Sequence, residues 1–184
     1  TSASPMLHIK GHTPEGELPS TQDAIAKTIM PSDLLNLWKS FNTGNNKIDL
    51  VAIGSPHSSY AECMKFLKLL LEKNQTVIVP TILTVGREPL GKLKDQGNLD
   101  KFSKLGVQVV PDICWCSITE PVFPSETKSL VTNSGKYAHY GKGLTGRNVR
   151  FGSLANCASA SMSGYVDIEL LSLIHISEPT RRTP

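Results

Sequence analysis

The residues best suited to do chemistry lie close together near the C-terminal third of the chain. Residues 130–141 read LVTNSGKYAHYG and combine an amide, hydroxyls, a lysine and a histidine with two glycines. Small polar donors beside glycines are typical of a pocket that holds an anion with backbone N–H groups and short side chains. The same pattern is equally typical of a strand that enters a helix capped by Thr132, Asn133 or Ser134.

Two further polar segments follow predicted strands. The apolar run at residues 48–53 predicts a strand buried on both faces, and residues 54–59 form the turn at its carboxyl end. Residues 112–116 follow another predicted strand at 107–110. Ligands of open α/β sheets bind beyond the carboxyl ends of parallel strands. We therefore expect these segments and residues 132–140 to share one site.

The remaining patterns predict an α/β fold with parallel-sheet layers flanked by helices. Two more short strands are expected, and helix starts are indicated by polar residues that precede apolar periodicity. The additional strands are predicted at residues 6–9 and 77–79, and the helices at 21–30, 32–41, 60–71 and 90–105, with Ser58 or Ser59 as the cap of the third helix.

Composition narrows the class of protein. The 184 residues are 39% hydrophobic and 19% charged, with a formal net charge of +3, which suits one globular domain. The basic residues are dispersed, so nucleic acid is not an expected partner. No apolar run approaches the roughly 20 residues that cross a bilayer. Four cysteines without a secretion signal predict reduced thiols and a cytoplasmic location.

Five separate motifs, taken in order, carry a resemblance to a known family. They are residues 5–15 (PMLHIKGHTPE), 49–59 (DLVAIGSPHSS), 112–114 (DIC), 130–141 and 151–157 (FGSLANC). Together they resemble the catalytic, large-subunit region of aconitase X, a branch of the aconitase superfamily of iron–sulfur hydro-lyases. The resemblance runs from about residue 3 to residue 166, so an aconitase-like catalytic region is the expected fold.

The resemblance implies an iron–sulfur cofactor and two of its ligands. Cysteines in the matching family positions belong to the cluster site, which makes Cys114 and Cys157 the expected metal ligands. Without the resemblance, two cysteines so far apart are more typical of buried apolar residues. Cys63 lies on an apolar helix face and is expected in the core, and Cys116 has no assigned role. A third ligand is expected upstream of Thr1.

The implied reaction removes water from a small β-hydroxy acid such as mevalonate 5-phosphate or cis-3-hydroxy-L-proline. Iron with an open coordination position would act as a Lewis acid on the substrate hydroxyl. Lys136, with Asn133 and Ser134, would stabilise negative charge in the transition state. His57 and His139 are the candidates for proton transfer because imidazole titrates near neutrality.

Those histidines also have simpler interpretations. His57 could cap the neighbouring helix, and His139 could merely share a helix face with Lys136. Ser55 and Ser58, in the turn after the first buried strand, are candidate substrate-binding residues.

The opening motif supplies two more substrate candidates, Thr13 and Glu15. Thr13 and Pro14 would alternatively form a plain turn. The chain departs from the family at Gly16, where alanine is usual, and at His12, where a smaller residue is common.

The resemblance also implies a missing partner. The family's small swivelling domain, fused or as a small subunit, has no counterpart in this sequence. Residues 1–170 are therefore expected to be a partial aconitase X catalytic domain. Residues 171–184 resemble the translation of a sequencing adapter rather than native protein, and a genuine disordered tail is the alternative.

Two alternative functions remain open. A nucleotide-binding α/β module would use residues 54–59 as its phosphate turn, although no G-x-G-x-x-G run is present. A catalytically inactive remnant would fold without holding a cluster. Residues 141–147 (GKGLTGR) do not match a phosphate-binding loop and are expected to be a mobile loop with Lys142 and Arg147 in solvent.

Overall fold

A five-stranded parallel sheet forms the centre of the protein. The computed structural model describes residues 6–19 and 24–168. Every pairing in the sheet is parallel, and the strand order is β3-β2-β1-β4-β5. The strands are β1 (Leu50–Ser58), β2 (Thr81–Val85), β3 (Val107–Pro111), β4 (Ser129–Thr132) and β5 (Asn148–Phe151).

In the described part of the chain, six α-helices lie before, between and after the strands and cover both faces of the sheet. This arrangement confirms the predicted α/β class. The helices are α1 (Pro31–Phe41), α2 (Tyr60–Glu72), α3 (Arg87–Asp95), α4 (Asn98–Leu105), α5 (Gly135–Thr145) and α6 (Leu154–Ser163), with two short 3₁₀ helices at Pro14–Glu17 and Trp115–Ser117.

Strand β1 is central because the chain leaves it in one direction and later returns on its other side. The chain passes from β1 through β2 to β3, and then crosses back to β4, which pairs with β1. The carboxyl ends of β1 and β4 therefore flank the point where the strand order reverses. Open α/β sheets bind ligands at such a switch point.

Alternating side chains of β1 divide the interior into two cores. Val51 and Ile53 pack with α2 and α6 on one face, whereas Leu50 and Ala52 pack with Trp115 and α5 on the other. Successive strand residues point to opposite faces of a sheet, so an unbroken apolar run satisfies both cores. The apolar run at residues 48–53 thus correctly indicated a doubly covered strand.

Helix α2 begins directly after β1 because the side chains of Ser59 and Glu62 each accept a hydrogen bond from the other residue's backbone N–H. The Ser59 side chain accepts a hydrogen bond from Glu62 N, and the Glu62 carboxylate accepts one from Ser59 N at 2.9 Å. This reciprocal cap fixes the start of the helix. Cys63, Phe66 and Leu70 then lie on one buried face. The predicted cap and the predicted core position of Cys63 are both confirmed.

The strand predicted at residues 77–79 is wrong, and the second strand begins after Pro80. The N–H of Val77 donates to Leu105 O, and those of Ile78 and Val79 donate to Ser161 O. These bonds tie the segment to helix ends instead of to a neighbouring strand. The ladder starts only where Val51 N donates to Pro80 O.

The N-terminal predictions are also wrong where the structure describes them. Residues 6–9 form no strand, and residues 24–30 form no helix. Ile25 and Ile29 are 95% and 70% exposed, so no packing stabilises a helix there. The segment before Pro31 is extended, as expected for a residue that precedes proline. Residues 20–23, where that helix was predicted to begin, lie outside the described residues.

Three other boundaries differ from the predictions. The helix predicted at 90–105 is two helices, α3 and α4, separated at residues 96–97. Residues 54–58 continue β1 with an irregular register instead of forming a free turn. Residues 141–145 belong to α5, and the partly buried Arg147 donates to Thr127 O at 2.7 Å, so the predicted mobile loop is wrong.

Among the described residues, no helix is long and apolar enough to cross a membrane.

Candidate functional site

The carboxyl ends of β1 and β4 are joined by two hydrogen bonds. Gly54 N donates to Asn133 Oδ1 at 3.1 Å, and Ser134 Oγ donates to Ser55 O at 3.3 Å. The same Ser134 hydroxyl accepts from Tyr137 N at 3.2 Å and caps α5. The predicted cap of the helix is therefore confirmed for Ser134, and the anion-binding pocket stays a prediction.

The backbone of β1 is distorted where it reaches this edge. Gly54 has φ +91°, and a Cβ atom there would lie 2.4 Å from Thr84 Oγ1, so only glycine fits. Ser55 has φ +136°, a region that non-glycine residues rarely adopt. Such conformations cost about 1–3 kcal/mol and cluster at functional sites. The distortion turns the Ser55 hydroxyl toward the residues that follow β3.

Cys114 lies at the same edge and is surrounded by hydrogen-bond donors. Its Sγ is 3.5 Å from Lys136 Nζ and 3.6 Å from Ser55 Oγ. Partial burial acts to raise the pKa of the Cys114 thiol, but the N–H of Cys116, the Ser55 and Lys136 side chains, and the Lys136 charge bring that pKa below its usual value. The environment thus favours a thiolate.

A buried tryptophan holds Cys114 in place. Trp115 Nε1 donates to Ile53 O at 3.0 Å, and the indole packs against the Tyr137 ring with centroids 5.6 Å apart. The start of this loop is held by an ion pair between Arg87 and Asp112, whose φ is +59°. The side chains that flank Cys114 in sequence therefore anchor it to β1, α3 and α5.

Cys157 has a different environment. It is fully buried in α6, in the core shared with α2, and burial raises the pKa of its thiol. Residues 6–19 and 24–168 contain no group of three or more His, Cys, Asp or Glu side chains that could hold a metal ion. Cys114 fits a thiolate ligand of a cluster, whereas Cys157 occupies a core position in this arrangement. Its role as a ligand stays a prediction.

The two predicted catalytic histidines lie apart from the Cys114 contacts. His57 is exposed near the end of β1. It lies beside Gly86, because a Cβ atom built on that glycine would be 3.8 Å from His57 Nδ1. His139 is also exposed, and its ring stacks edge-on against Phe41 and Tyr140. His57 therefore flanks the site on the β2 side, and His139 points toward α1.

Of the remaining substrate candidates, Ser58 lies in β1, whereas Thr13 and Glu15 lie in the opening motif. Ser58 is 2% exposed, and its hydroxyl has no hydrogen-bond partner among the described residues. Thr13 instead bonds its own loop, because Ile9 N donates to Thr13 Oγ1 at 2.8 Å. Glu15 lies 3.7 Å from His8 Nδ1. These contacts of Thr13 and Glu15 are thus within the opening motif, and the role of both residues in substrate binding stays a prediction.

Gly16 has a structural reason to differ from the family's usual alanine. A Cβ atom at Gly16 would lie 2.3 Å from Ile9 O, which leaves no room for a side chain in this turn. The departure noted in the sequence therefore matches the local conformation of residues 9–17.

Sequence reasoning missed several residues that build the site. Trp115, Thr84 and Arg87 position the loop backbones, and Cys116 lies beside Cys114. Asp112 belonged to a recognised motif, and its αL conformation is one that aspartate tolerates. The aromatic residue between two cysteines was the available signal for Trp115, but nothing in the sequence showed which main-chain carbonyl it would bond.

Comparisons with known proteins match this geometry to a family. A family model for the aconitase X third domain matches residues 48–163, which is more than half of the chain. The chain belongs to the aconitase X family. The resemblance seen in its motifs is thereby confirmed, and the third domain coincides with β1 through α6.

Relatives from three organisms share the sequence over most of this chain. It is 37% identical to a cis-3-hydroxy-L-proline dehydratase of Hypocrea jecorina over 94% of its length, and 35% identical to one of Pseudomonas aeruginosa over 89%. It is 27% identical over 85% to a phosphomevalonate dehydratase large subunit of Thermococcus kodakarensis. The chain spans only 29–39% of the length of these relatives.

A solved structure has the same fold. The crystal structure of Thermococcus kodakaraensis aconitase X in its holo-form superposes with a TM-score of 0.63 and 27% sequence identity. The match covers 80% of this chain and 38% of that one. The parallel sheet with its flanking helices is therefore the aconitase X arrangement.

Proposed function

We propose that this chain is the part of an aconitase X dehydratase that builds one wall of the active site. The proposal is carried by one observation: Lys136, Ser55 and Cys114 meet at the switch point of the sheet, beside the capped start of α5. The reaction is the removal of water from a small β-hydroxy acid. The complete activity belongs to the longer protein of which this chain corresponds to about a third.

The anionic substrate would bind where the donors converge. The N-terminal N–H groups of α5 and the Lys136 ammonium favour a carboxylate at this edge. Asn133 uses its Oδ1 to accept from Gly54, which leaves its Nδ2 as a donor for substrate. Lys136 would stabilise the negative charge that develops when the α-proton leaves.

Proton transfer is assigned to His57 rather than to His139. His57 lies two residues beyond Ser55 on the same distorted strand end, and it is exposed. The His139 ring is occupied by its contacts with Phe41 and Tyr140. His57 would therefore take the α-proton, and Ser55 and Ser134 would orient the carboxylate or hydroxyl.

Cys114 is the residue best placed to hold the family's cofactor. An iron–sulfur cluster, when bound, supplies a Lewis acid for the leaving hydroxyl. The donors around Cys114 keep its sulfur available as a thiolate, and its partial exposure leaves it accessible. Cys157 is proposed as a second ligand on the resemblance alone.

The sequence relationships favour cis-3-hydroxy-L-proline over mevalonate 5-phosphate as substrate. Identity is 35–37% to the two relatives named as cis-3-hydroxy-L-proline dehydratases and 27–28% to the three named as phosphomevalonate dehydratase large subunits.

We also propose a swivel domain, fused or as a separate small subunit, as the partner. A cytoplasmic location would keep the four thiols reduced.

The test is dehydration by the complete polypeptide that contains this domain. The protein is reconstituted anaerobically with iron and sulfide, and each of the two hydroxy acids is supplied separately while the dehydrated product is followed by NMR. Lys136→Met should lower kcat/KM by about 10²–10³-fold, the effect of removing one group that stabilises transition-state charge.

Two controls make the result specific. Lys142→Met changes an exposed lysine on the same helix and should leave turnover unchanged. Cys114→Ala should lose bound iron as well as activity. Failure of the loaded enzyme to dehydrate either acid would refute the proposed function, and turnover of the phosphorylated acid alone would refute the substrate preference.

A further inference from the structure

Thr84 in β2 lies opposite the distorted part of β1. The paired residues on either side leave four residues of β1, 54–57, facing this one residue of β2. Extra residues on one strand form a bulge, and bulges near a site re-aim the side chains they carry. We refer to residues 54–57 as the β1 bulge. It carries Ser55 and His57, two of the residues assigned to the proposed reaction.

The hydroxyl of Thr84 can bond the main chain on both sides of Ser55. Thr84 Oγ1 lies 3.1 Å from Ile53 O and 3.0 Å from Pro56 O, and it is the donor to both oxygens. The side chain is fully buried. A buried carbonyl that loses its donor costs free energy, so the hydroxyl favours the conformation in which both oxygens point toward it. We refer to these two bonds as the Thr84 clamp.

The Thr84 clamp also links the β1 bulge to the loop of Cys114. Ile53 O accepts a second hydrogen bond, from Trp115 Nε1 at 3.0 Å. A carbonyl oxygen has two lone pairs and can accept both bonds. The clamp therefore fixes the bulge relative to the loop in which Cys114 Sγ lies 3.6 Å from Ser55 Oγ.

We propose that Thr84 is a positioning residue, whose hydroxyl holds Ser55 and His57 in the arrangement that the reaction requires. This inference rests on the proposed function, which assigns those two residues to substrate orientation and proton transfer. Thr84 acts through the backbone of the bulge and not on the substrate itself. A displacement of reacting groups by about 1 Å can lower turnover by about 10²-fold.

The first measurement is turnover by the reconstituted complete polypeptide that contains this domain. Thr84→Val keeps the shape of the side chain but removes the donor, so kcat should fall about 10–100-fold with little change in KM. Thr84→Ser keeps the hydroxyl and should retain most of the turnover.

Thr81→Val is the matched control for the valine variant. Thr81 is buried in the same strand, and its hydroxyl donates to Val79 O at 2.9 Å, away from the bulge. This variant loses a comparable buried hydrogen bond and should leave kcat unchanged.

The second measurement is hydrogen exchange in the metal-free protein, which requires no turnover. The amides within residues 54–58 should exchange several-fold faster in Thr84→Val, because the bulge opens more often. Exchange there should be unchanged in Thr84→Ser and Thr81→Val. Thr84→Ala, which is smaller and also lacks the hydroxyl, takes the place of the valine variant if that variant does not fold.

Three results would overturn the proposal. They are equal kcat values for Thr84→Val and Thr84→Ser, equal losses of kcat in Thr84→Val and Thr81→Val, and unchanged exchange at residues 54–58 in Thr84→Val. If the unchanged enzyme dehydrates neither acid, the proposed function fails, and the exchange rates alone then decide whether Thr84 holds the bulge.

Discussion

Cys114 and Cys157 show how one fold gives the same side chain two opposite environments. Cys114 lies at the carboxyl edge of the sheet among Lys136, Ser55 and a backbone N–H, which lower the pKa of its thiol. Cys157 lies in the core between α6 and α2, where burial raises the pKa of its thiol. The first is poised to ionise, and the second is held neutral.

The two regions also differ in how their backbones are built. The core around Cys157 uses regular helix and strand with apolar contacts. The edge around Cys114 contains three residues with positive φ, namely Gly54, Ser55 and Asp112. Strain concentrated at one edge of an otherwise regular sheet is what a preorganised site requires. The difference supports the proposal that the functional site lies at the β1–β4 edge, whereas the residues around α6 pack the core.

The largest expected effect comes from Gly54→Ala, which adds a side chain to the distorted backbone of β1. The added Cβ would lie 2.4 Å from Thr84 Oγ1 in a backbone conformation that disfavours side chains. We expect the free energy of unfolding to fall by about 3 kcal/mol or more. Urea denaturation measures this change.

Gly143→Ala is the matched control for that change. Gly143 lies within α5, and a Cβ there meets no atom within 4 Å. Alanine should stabilise the helix by about 0.5–1 kcal/mol. If both alanine variants destabilise the protein equally, the β1 edge is not uniquely constrained.

A smaller effect should distinguish the two cysteines by stability. Cys157→Ser places a hydroxyl in the apolar core without a dedicated hydrogen-bond partner. This change should lower the free energy of unfolding by about 1–3 kcal/mol. Cys114→Ser keeps a polar group at a partly exposed edge and should change stability by less than about 0.5 kcal/mol. Equal losses in urea denaturation of metal-free protein would contradict the contrast drawn between the two sites.

The smallest effect concerns the charge beside Cys114. Lys136→Met removes a hydrogen bond and a positive charge that lower the pKa of the thiol. With the pKa raised, a smaller fraction of Cys114 is thiolate at pH 7, and iodoacetamide alkylation should slow several-fold. Lys142→Met, six residues along the same helix and exposed, should leave the rate unchanged. An unchanged rate in Lys136→Met would show that the lysine does not activate the sulfur.

Much of the fold could be predicted because its signals are local. The unbroken apolar run at 48–53 and the Ser59–Glu62 cap identified β1 and the start of α2 without tertiary information. The segment at 77–79 was misassigned because valine and isoleucine favour strands, while its actual partners are the ends of α4 and α6. Such partners are set by tertiary structure.

The meeting of the three polar segments could be predicted, but the contacts between their side chains could not. Parallel strands brought residues 54–59, 112–116 and 132–140 to one edge, as expected from where each strand ends. The sequence could not show that Lys136 would reach Cys114, or that Trp115 would anchor the loop. No residue pattern indicated the positive φ of Ser55 either.

Competitive alkylation of Cys114 and Cys157 in native, metal-free protein tests the contrast most directly. Iodoacetamide is added at neutral pH, and the labelled fraction of each cysteine is followed over time by peptide mass spectrometry. We predict that Cys114 is labelled early, while Cys157 stays unlabelled until the protein is unfolded in urea. Labelling of Cys157 as fast as Cys114 under native conditions would contradict the assignment of one sulfur to the site and the other to the core.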